Sequence, residues 1–307
     1  MSYENIVTVA NINFHAEWGN KTGNLARIKE YIQSAAEQGA KIILFPEMAL
    51  TGYNIEKDST AMQIENAETI PGPAANELAL LAQKHNAYII VGMPERDAID
   101  SSILYNTALV VGPGGIVGAY RKIHPVGHEL LWATKGNDPL LFDTPWGPVG
   151  IGICFDTYTF PEVVRYYAAL GSRLYLNPTA SAIGWEDSYF TQLKARVIEN
   201  ALFIMSSNLV GYDCNLSFSG ESLIIGPSSS ILSTAYYAKP AGSREELQVA
   251  TLNLSLVDKS RQMLTLFGAN PLTGSPDWRP EIYEKWLFNI RQNFNFSASA
   301  PSSVDIF

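Results

Sequence analysis

Short apolar runs alternate with one-sided amphipathic segments along the chain, and the series occurs twice. IVTVANINF (6–14) is a strand-like run. NLARIKEYIQSAAEQG (24–39) follows with Leu25, Ile28, Ile32, Ala35 and Ala36 at helical spacing and Gly39 as a stop. KIILFPE (41–47) predicts a short buried strand ended by Pro46, and PGPAANELALLAQKHN (71–86) a second helix entered through proline. AYIIVGM (87–93) is another buried strand; ILYNTALVV (103–111) and IVGAYRKI (116–123) flank GPGG and read as a hairpin. The second series runs VGIGICF (149–155), helical FPEVVRYYAALG (160–171), SRLYLNP (172–178), helical SYFTQLKARVIENA (188–201) and LFIMSSN (202–208). A hairpin of SLIIG (222–226) and SILSTAYY (230–237) and the strand LQVATLNL (247–254) close it.

Strands apolar on both faces and helices apolar on one must cover two sides of a sheet. Two sheets packed together with helices outside satisfy both series; one doubly wound sheet is the competing arrangement. No Pro/Gly/Ser-rich linker divides the series, so residues 1–296 read as one domain, followed by an irregular polar tail, 297–307.

Composition narrows the function classes. Charged residues make up 17% of the chain, below the roughly 25% of an average globular protein. That hints at surface buried between subunits, a homodimer or higher homo-oligomer. The net charge is −9 and no basic stripe is present, against a nucleic-acid partner. No apolar run reaches the roughly 18 residues of a membrane span, and the N-terminus lacks a signal-peptide pattern. Two cysteines, Cys154 and Cys214, make no disulfide framework; free thiols in a reducing, cytoplasmic setting are the expectation.

Three stretches place chemistry at strand ends. FPE puts Glu47 after one strand, YRKIH puts Lys122 at the end of a hairpin strand, and GICFD puts Cys154 at the end of another. Groups beyond strand C-termini converge in layered α/β folds. A thiol needs deprotonation to attack; Glu47 can take the proton, while Lys122 and the Phe155 N–H can stabilise an oxyanion. Each residue alone also has an ordinary structural use: a packed thiol, a loop carboxylate, an edge ammonium.

Together, FPEMALTGY (45–53), YRKIH (120–124) and GICFD (152–156) resemble the signature blocks of the nitrilase superfamily of carbon–nitrogen hydrolases. KARVIENALFIMSSN (194–208), SGESLIIGPSSSIL (219–232) and RPEIY (279–283) extend the likeness over nearly the whole chain. The resemblance implies a four-layer αββα sandwich with an internal pseudo-twofold repeat. It implies Cys154 as nucleophile, Glu47 as general base and acid, Lys122 as oxyanion stabiliser, and Glu129 as a second glutamate orienting Lys122 or the substrate. It implies no metal and no organic cofactor, and dimerisation through helices. Phe155-Asp156 after the cysteine resembles the amidase and carbamoylase branches, which favours a small-molecule amide, a carboxamide or an N-carbamoyl group, over a nitrile. Six residues, 155–160, precede Pro161-Glu162, one more than the commonest pattern, and none is arginine, against an N-carbamoyl amino acid.

The expected pocket is lined by Tyr53, Phe155, Tyr158 and Thr179, with Trp132 or Trp185. A Cys154–His124 pair is the alternative nucleophile–base couple, but no papain-type motif surrounds Cys154. No HxxxH or CxxC spacing suggests zinc. Cys214, in the loop GYDCNLSF (211–218), reads as an incidental thiol. A non-catalytic binding or scaffold protein on the same fold is the reading from another class; intact Glu47, Lys122, Glu129 and Cys154 argue against it.

Overall fold

Two six-stranded sheets carry the fold, in a computed structural model that describes residues 3–54, 60–230 and 232–293. The first sheet is built from β1 (Ile6–Asn13), β2 (Ile42–Leu44), β3 (Tyr88–Arg96), β4 (Leu104–Gly112), β5 (Gly115–Arg121) and β14 (Glu246–Asn253), in the order β14-β1-β2-β3-β4-β5. The second holds β6 (Leu141–Thr144), β7 (Gly147–Ile151), β8 (Leu174–Thr179), β9 (Phe203–Asn208), β12 (Leu223–Pro227) and β13 (Thr234–Ala238), in the order β13-β12-β9-β8-β7-β6. In each, parallel central strands are flanked by antiparallel ones. A separate hairpin, β10 (Val210–Asp213) with β11 (Leu216–Ser219), joins neither sheet.

Strand alternation explains how the layers close. Val7 and Val9 of β1 face the second sheet, in one core with Ile42, Leu44, Ile90, Val110 and Tyr120 and with Val149, Ile151, Leu174, Leu176 and Phe203. Ala10 and Ile12 face the other way, onto Ile28, Ile32 and Ala35 of α1 (Lys21–Glu37) and Ala75, Leu78 and Ala82 of α3 (Pro73–His85). The short α2 (Thr60–Asn66) lies between these helices in sequence. On the second sheet, α5 (Pro161–Ala169) packs on β7 and α6 (Glu186–Asn200) on β9, β12 and β13; the four-residue α4 (Phe155–Tyr158) packs on both helices. The result is helix on sheet on sheet on helix, so the doubly wound alternative is excluded.

The chain divides into two compact units, Met1–Ser260 and Arg261–Phe307. The first contains every strand among the described residues; α7 (Ser255–Leu264) crosses the division. Within the second, Phe267 meets Trp278 edge to face, and α8 (Pro280–Asn293) exposes Trp286, Leu287 and Phe288. The tail 297–307 lies outside the described residues. No helix among the described residues is long and apolar enough to cross a membrane.

One strand is shorter than its apolar run predicts. The apolar run VGIGICF predicts extension to residue 155, yet β7 stops at Ile151. A Cβ at Gly152 would meet the Tyr175 hydroxyl at 2.0 Å, and Cys154 turns into the left-handed region with φ 49°. The chain therefore bends before the cysteine and enters α4.

Candidate functional site

Proline and a close backbone approach place Glu47. Phe45 makes a last ladder bond to the Ile90 carbonyl at 2.9 Å, Pro46 has no N–H to continue it, and Met48 reverses the chain at φ 52°. A Cβ on Gly92 of β3 would lie 2.4 Å from the Met48 nitrogen and the Pro46 oxygen, so only glycine lets this turn lie against the sheet. Glu47 is driven inward and fully buried.

Lys122 follows β5. Its N–H bonds the Asn106 carbonyl and its carbonyl accepts from Gly136 N–H, both at 2.8 Å. Alternation sends Arg121 outward to Glu95 and Lys122 inward. The Lys122 Nζ donates to Glu47 Oε1 at 2.7 Å and to Glu129 Oε2 at 2.9 Å. Glu129 sits on a short 3-10 turn, Gly127–Leu131; it is buried and also accepts from Val126 N–H at 3.0 Å and Tyr53 O–H at 3.1 Å. Asn106 Nδ2 ties the carboxylates together, donating to Glu47 Oε1 and Glu129 Oε1 at 2.7 Å each.

The three side chains of this cluster are fully buried. Burial alone would discharge Lys122, but Glu129 and Glu47 outweigh it and hold the ammonium well above its ordinary range. Burial, aided by the neighbouring Glu129 charge, pushes Glu47 up against the pull of Lys122. Glu47 Oε2 is buried and finds no hydrogen-bond partner among the described residues. A lone acceptor of this kind carries a cost of about 1–3 kcal/mol unless something donates to it.

Cys154 closes the site from the second sheet. Its N–H bonds the Pro178 carbonyl at 2.9 Å, and its carbonyl starts α4 by accepting from Thr157 N–H at 2.9 Å. A non-glycine residue at φ 49°, ψ −106° stores on the order of 1–3 kcal/mol of strain. The residue is 8% exposed. Burial and the Glu47 charge push the thiol up to about 12, while Lys122, the Thr179 hydroxyl and the Ala180 N–H pull the other way. At neutral pH the sulfur therefore carries its proton, and attack requires a base.

Asp156 fastens the Lys122 segment to the cysteine bend. Its Oδ1 meets His124 N–H at 2.9 Å and His124 Nδ1 at 2.7 Å; its Oδ2 accepts from Tyr120 O–H at 2.9 Å and Ile153 N–H at 3.2 Å. His124 thus binds Asp156 and stacks on Phe160 at 3.5 Å, in place of the pairing with Cys154 weighed as an alternative. Phe155 meets Phe160 edge to face at 5.5 Å, and its N–H heads α4, where first-turn N–H groups have no intrahelical acceptor.

The expected pocket residues divide. Tyr53 is buried with its hydroxyl on Glu129 and its ring edge-on to Phe218. Tyr158 and Thr179 bond each other at 2.6 Å. Trp132 is buried, whereas Trp185 is 37% exposed. A helix surface charge is the alternative sequence reading of Glu129; its burial puts it in the cluster instead. Asn106 was missed, although its sequence signal was legible: a lone amide in ILYNTALVV on the parity of Ala108 and Val110, which face the other sheet. No group of three or more His, Cys, Asp or Glu side chains able to hold a metal occurs among the described residues.

The hairpin β10–β11 secures the Tyr53 wall. Tyr53 N–H donates to Asp213 Oδ2 at 3.0 Å, and Asn54 Nδ2 donates to the Asp213 carbonyl at 3.1 Å. Burial raises Asp213 to about 6 despite the Tyr53 bond and His15. Because the folded carboxyl binds its proton more tightly than the unfolded one, the penalty is absent below pH 4, grows from pH 4 to 6, and is full above 6. Carrying the carboxyl from 3.8 to about 6 costs roughly 3 kcal/mol at neutral pH. Asp213→Asn is expected to raise Tm at pH 7.5 and to leave it nearly unchanged at pH 4. Thermal unfolding at the two pH values checks this; a loss of Tm at pH 7.5 defeats it.

A two-sheet sandwich holding a buried glutamate–lysine–glutamate cluster beside a cysteine bend defines a hydrolase of carbon–nitrogen bonds. The family described as carbon-nitrogen hydrolase matches residues 7–262, and the chain belongs to it, within the nitrilase superfamily. It is 32% identical over 258 residues to a protein named nitrilase from Pyrococcus abyssi, covering 83% of this chain and 93% of that one. It is 30% identical over 260 residues to the Homo sapiens omega-amidase NIT2, covering 80% and 89%. Among solved structures, Saccharomyces cerevisiae Nit3, a member of branch 10 of the superfamily, superposes with a TM-score of 0.75 at 23% identity, covering 86% of this chain and 96% of that one. An amidase from Nesterenkonia sp. superposes with a TM-score of 0.71 at 22% identity, covering 91% and 96%.

Proposed function

We propose that the protein hydrolyses the amide bond of a small carboxamide through a thioester on Cys154. The observation that carries this reading is the unpartnered, buried Glu47 Oε2 beside a thiol that keeps its proton at neutral pH. Glu47 accepts the thiol proton as sulfur forms a bond to the amide carbon. An ammonium has three N–H donors; two of Lys122 are used on Glu47 and Glu129, and the third, with the Phe155 N–H, meets the developing oxyanion. Glu47 returns the proton to the leaving nitrogen as the C–N bond breaks, releasing ammonia or an amine. Water then loses a proton to Glu47 as it attacks the thioester. The C–S bond breaks, the acid departs, and the thiol regains its proton. Glu129 and Asn106 act by holding Lys122 and Glu47 in place. The relatives named omega-amidase support an amide substrate.

The relative named nitrilase favours a second reading, nitrile hydrolysis in the same site. Ammonia release from paired aliphatic amides and nitriles, with acyl adducts on Cys154 followed by intact-protein mass spectrometry, separates the two. Turnover of the amide with a Cys154-linked acyl group supports the first reading, and turnover of the nitrile alone supports the second. A Cys154→Ala protein that keeps turning over overturns both.

A further inference from the structure

The two oxyanion donors proposed above come from different sheets, and one carboxylate bonds the segments that carry them. Lys122 follows β5 of the first sheet, whereas Phe155 lies in the bend after β7 of the second. Asp156 is fully buried. Its Oδ2 accepts from Ile153 N–H at 3.2 Å, and its own N–H donates to the Ile153 carbonyl at 3.0 Å. Asp156 thereby closes, from both ends, the turn that contains Cys154 and Phe155. Towards the first sheet it accepts from Tyr120 O–H and His124 N–H, each at 2.9 Å, two residues before and two after Lys122.

Both carboxylate oxygens are fixed as acceptors by main-chain groups. A backbone N–H only donates; that of Ile153 faces Oδ2 and that of His124 faces Oδ1. An asparagine in this place has one acceptor oxygen and one donor NH2. Either way round, the NH2 meets a backbone N–H, and one end of the bridge opens. The turn needs such a bridge, because Cys154 at φ 49° holds a conformation that persists only where its surroundings enforce it. The His124 ring adds a contact from Nδ1 to Oδ1 at 2.7 Å. The same ring stacks on Phe160, whose own ring meets Phe155 edge to face. His124 therefore also braces the residue that supplies the second donor.

We propose that Asp156 is a positioning residue that sets the separation of the two oxyanion donors, Lys122 Nζ and Phe155 N–H, by tying segment 120–124 to the turn 153–156. The inference rests on the thioester reading above and adds the residue that holds its oxyanion site together across two sheets. Asp156 bonds groups on either side of the donors, so it acts through their placement. Its contribution falls on the steps in which a carbonyl oxygen gains charge, the attack of sulfur on the amide and of water on the thioester. Attack of the same sulfur on a saturated carbon develops no oxyanion and does not need the two donors in register.

Two readouts separate placement of the donors from general damage. One is kcat and KM on the aliphatic amide or nitrile that the wild type turns over. The other is the rate of Cys154 alkylation by iodoethanol, a reagent without a carbonyl, from pH 6 to 10, resolved from Cys214 by peptide mass spectrometry. Asp156→Asn is expected to lower kcat about a hundredfold, the scale of a misplaced site, with KM within about threefold of wild type. Its alkylation rate is expected to stay within about threefold of wild type at every pH, since no oxyanion forms. A folded Asp156→Asn protein with kcat within about threefold of wild type overturns the proposal. So does an alkylation rate that falls in step with kcat, which marks a residue that only supports the fold. Should Asp156→Asn fail to fold, the double substitution Tyr120→Phe with His124→Phe is judged by the same two criteria. It keeps both rings and both backbone bonds, removes the two side-chain contacts to Asp156, and is expected to lower kcat about tenfold with alkylation unchanged. Turnover by Cys154→Ala defeats the thioester reading, whereas these outcomes defeat the assignment of Asp156, so the two failures are told apart.

Discussion

Glu47→Gln is expected to cut kcat about a thousandfold while leaving the protein folded. The glutamine keeps the shape of the side chain, and its oxygen can still accept from Lys122 and Asn106, which now meet at Glu47 Oε1. What disappears is the basic oxygen at Oε2. General base and acid groups typically contribute 10²–10⁴ in rate, and Glu47 is asked to serve both half-reactions, so a value near the middle of that range is a conservative expectation. A second readout separates proton transfer from simple electrostatics. The Glu47 charge helps push the Cys154 thiol up to about 12, so removing it should make the thiol more acidic. The alkylation midpoint should move down while turnover collapses. Steady-state kinetics and a pH series of alkylation rates measure both. Retention of more than a tenth of wild-type kcat sinks the assignment. The acid limb of the wild-type pH–rate profile belongs to the same group: Glu47 loses its basic form as pH falls through a value raised above the ordinary carboxylate range by burial.

Lys122→Met removes the cation bonded to the buried Glu47 and Glu129 carboxylates. Leaving a buried charge without its partner typically costs 3–5 kcal/mol. At the few degrees per kcal/mol typical of proteins of roughly this size, that is a fall in Tm of about 10 °C. The fall has a sign in pH. Without the pull of Lys122, burial raises the Glu47 carboxyl further, so the folded variant binds a proton there more tightly than the unfolded chain. Stability is then lost as pH rises, and the deficit against wild type should be larger at pH 8 than at pH 5.5. Activity should be lost to background at both. Calorimetric unfolding at the two pH values, with ammonia release on the same samples, measures these outcomes. An equal Tm at pH 8 shows that the lysine does not hold the carboxylates together.

Much of the site lies in local signals. Pro46 after an apolar run, Lys122 at the end of a hairpin strand, and Cys154 before a charged turn are all visible without coordinates. Asn106 was visible only as a parity exception and gains meaning from the facing sheet. Asp156 reads as a branch marker in sequence, while its four contacts unite residues from 120 to 156. The hairpin β10–β11 escaped notice because its strands are four residues each, too short for periodicity to speak.

By itself, the sequence determined the order of strands and helices, the apolar character of both strand faces, and the residue types able to attack, accept a proton and bear positive charge. These are properties of short windows, where side-chain period and proline or glycine stops act directly on the backbone. Tertiary structure alone decided between two packed sheets and one wound sheet, because strands buried on both faces look the same in either. It alone brought Glu47 to Lys122 across 75 residues and buried Glu129 with them. A hydrogen bond of 2.7 Å is set by where two strand ends meet, and that meeting depends on the packing of the whole core.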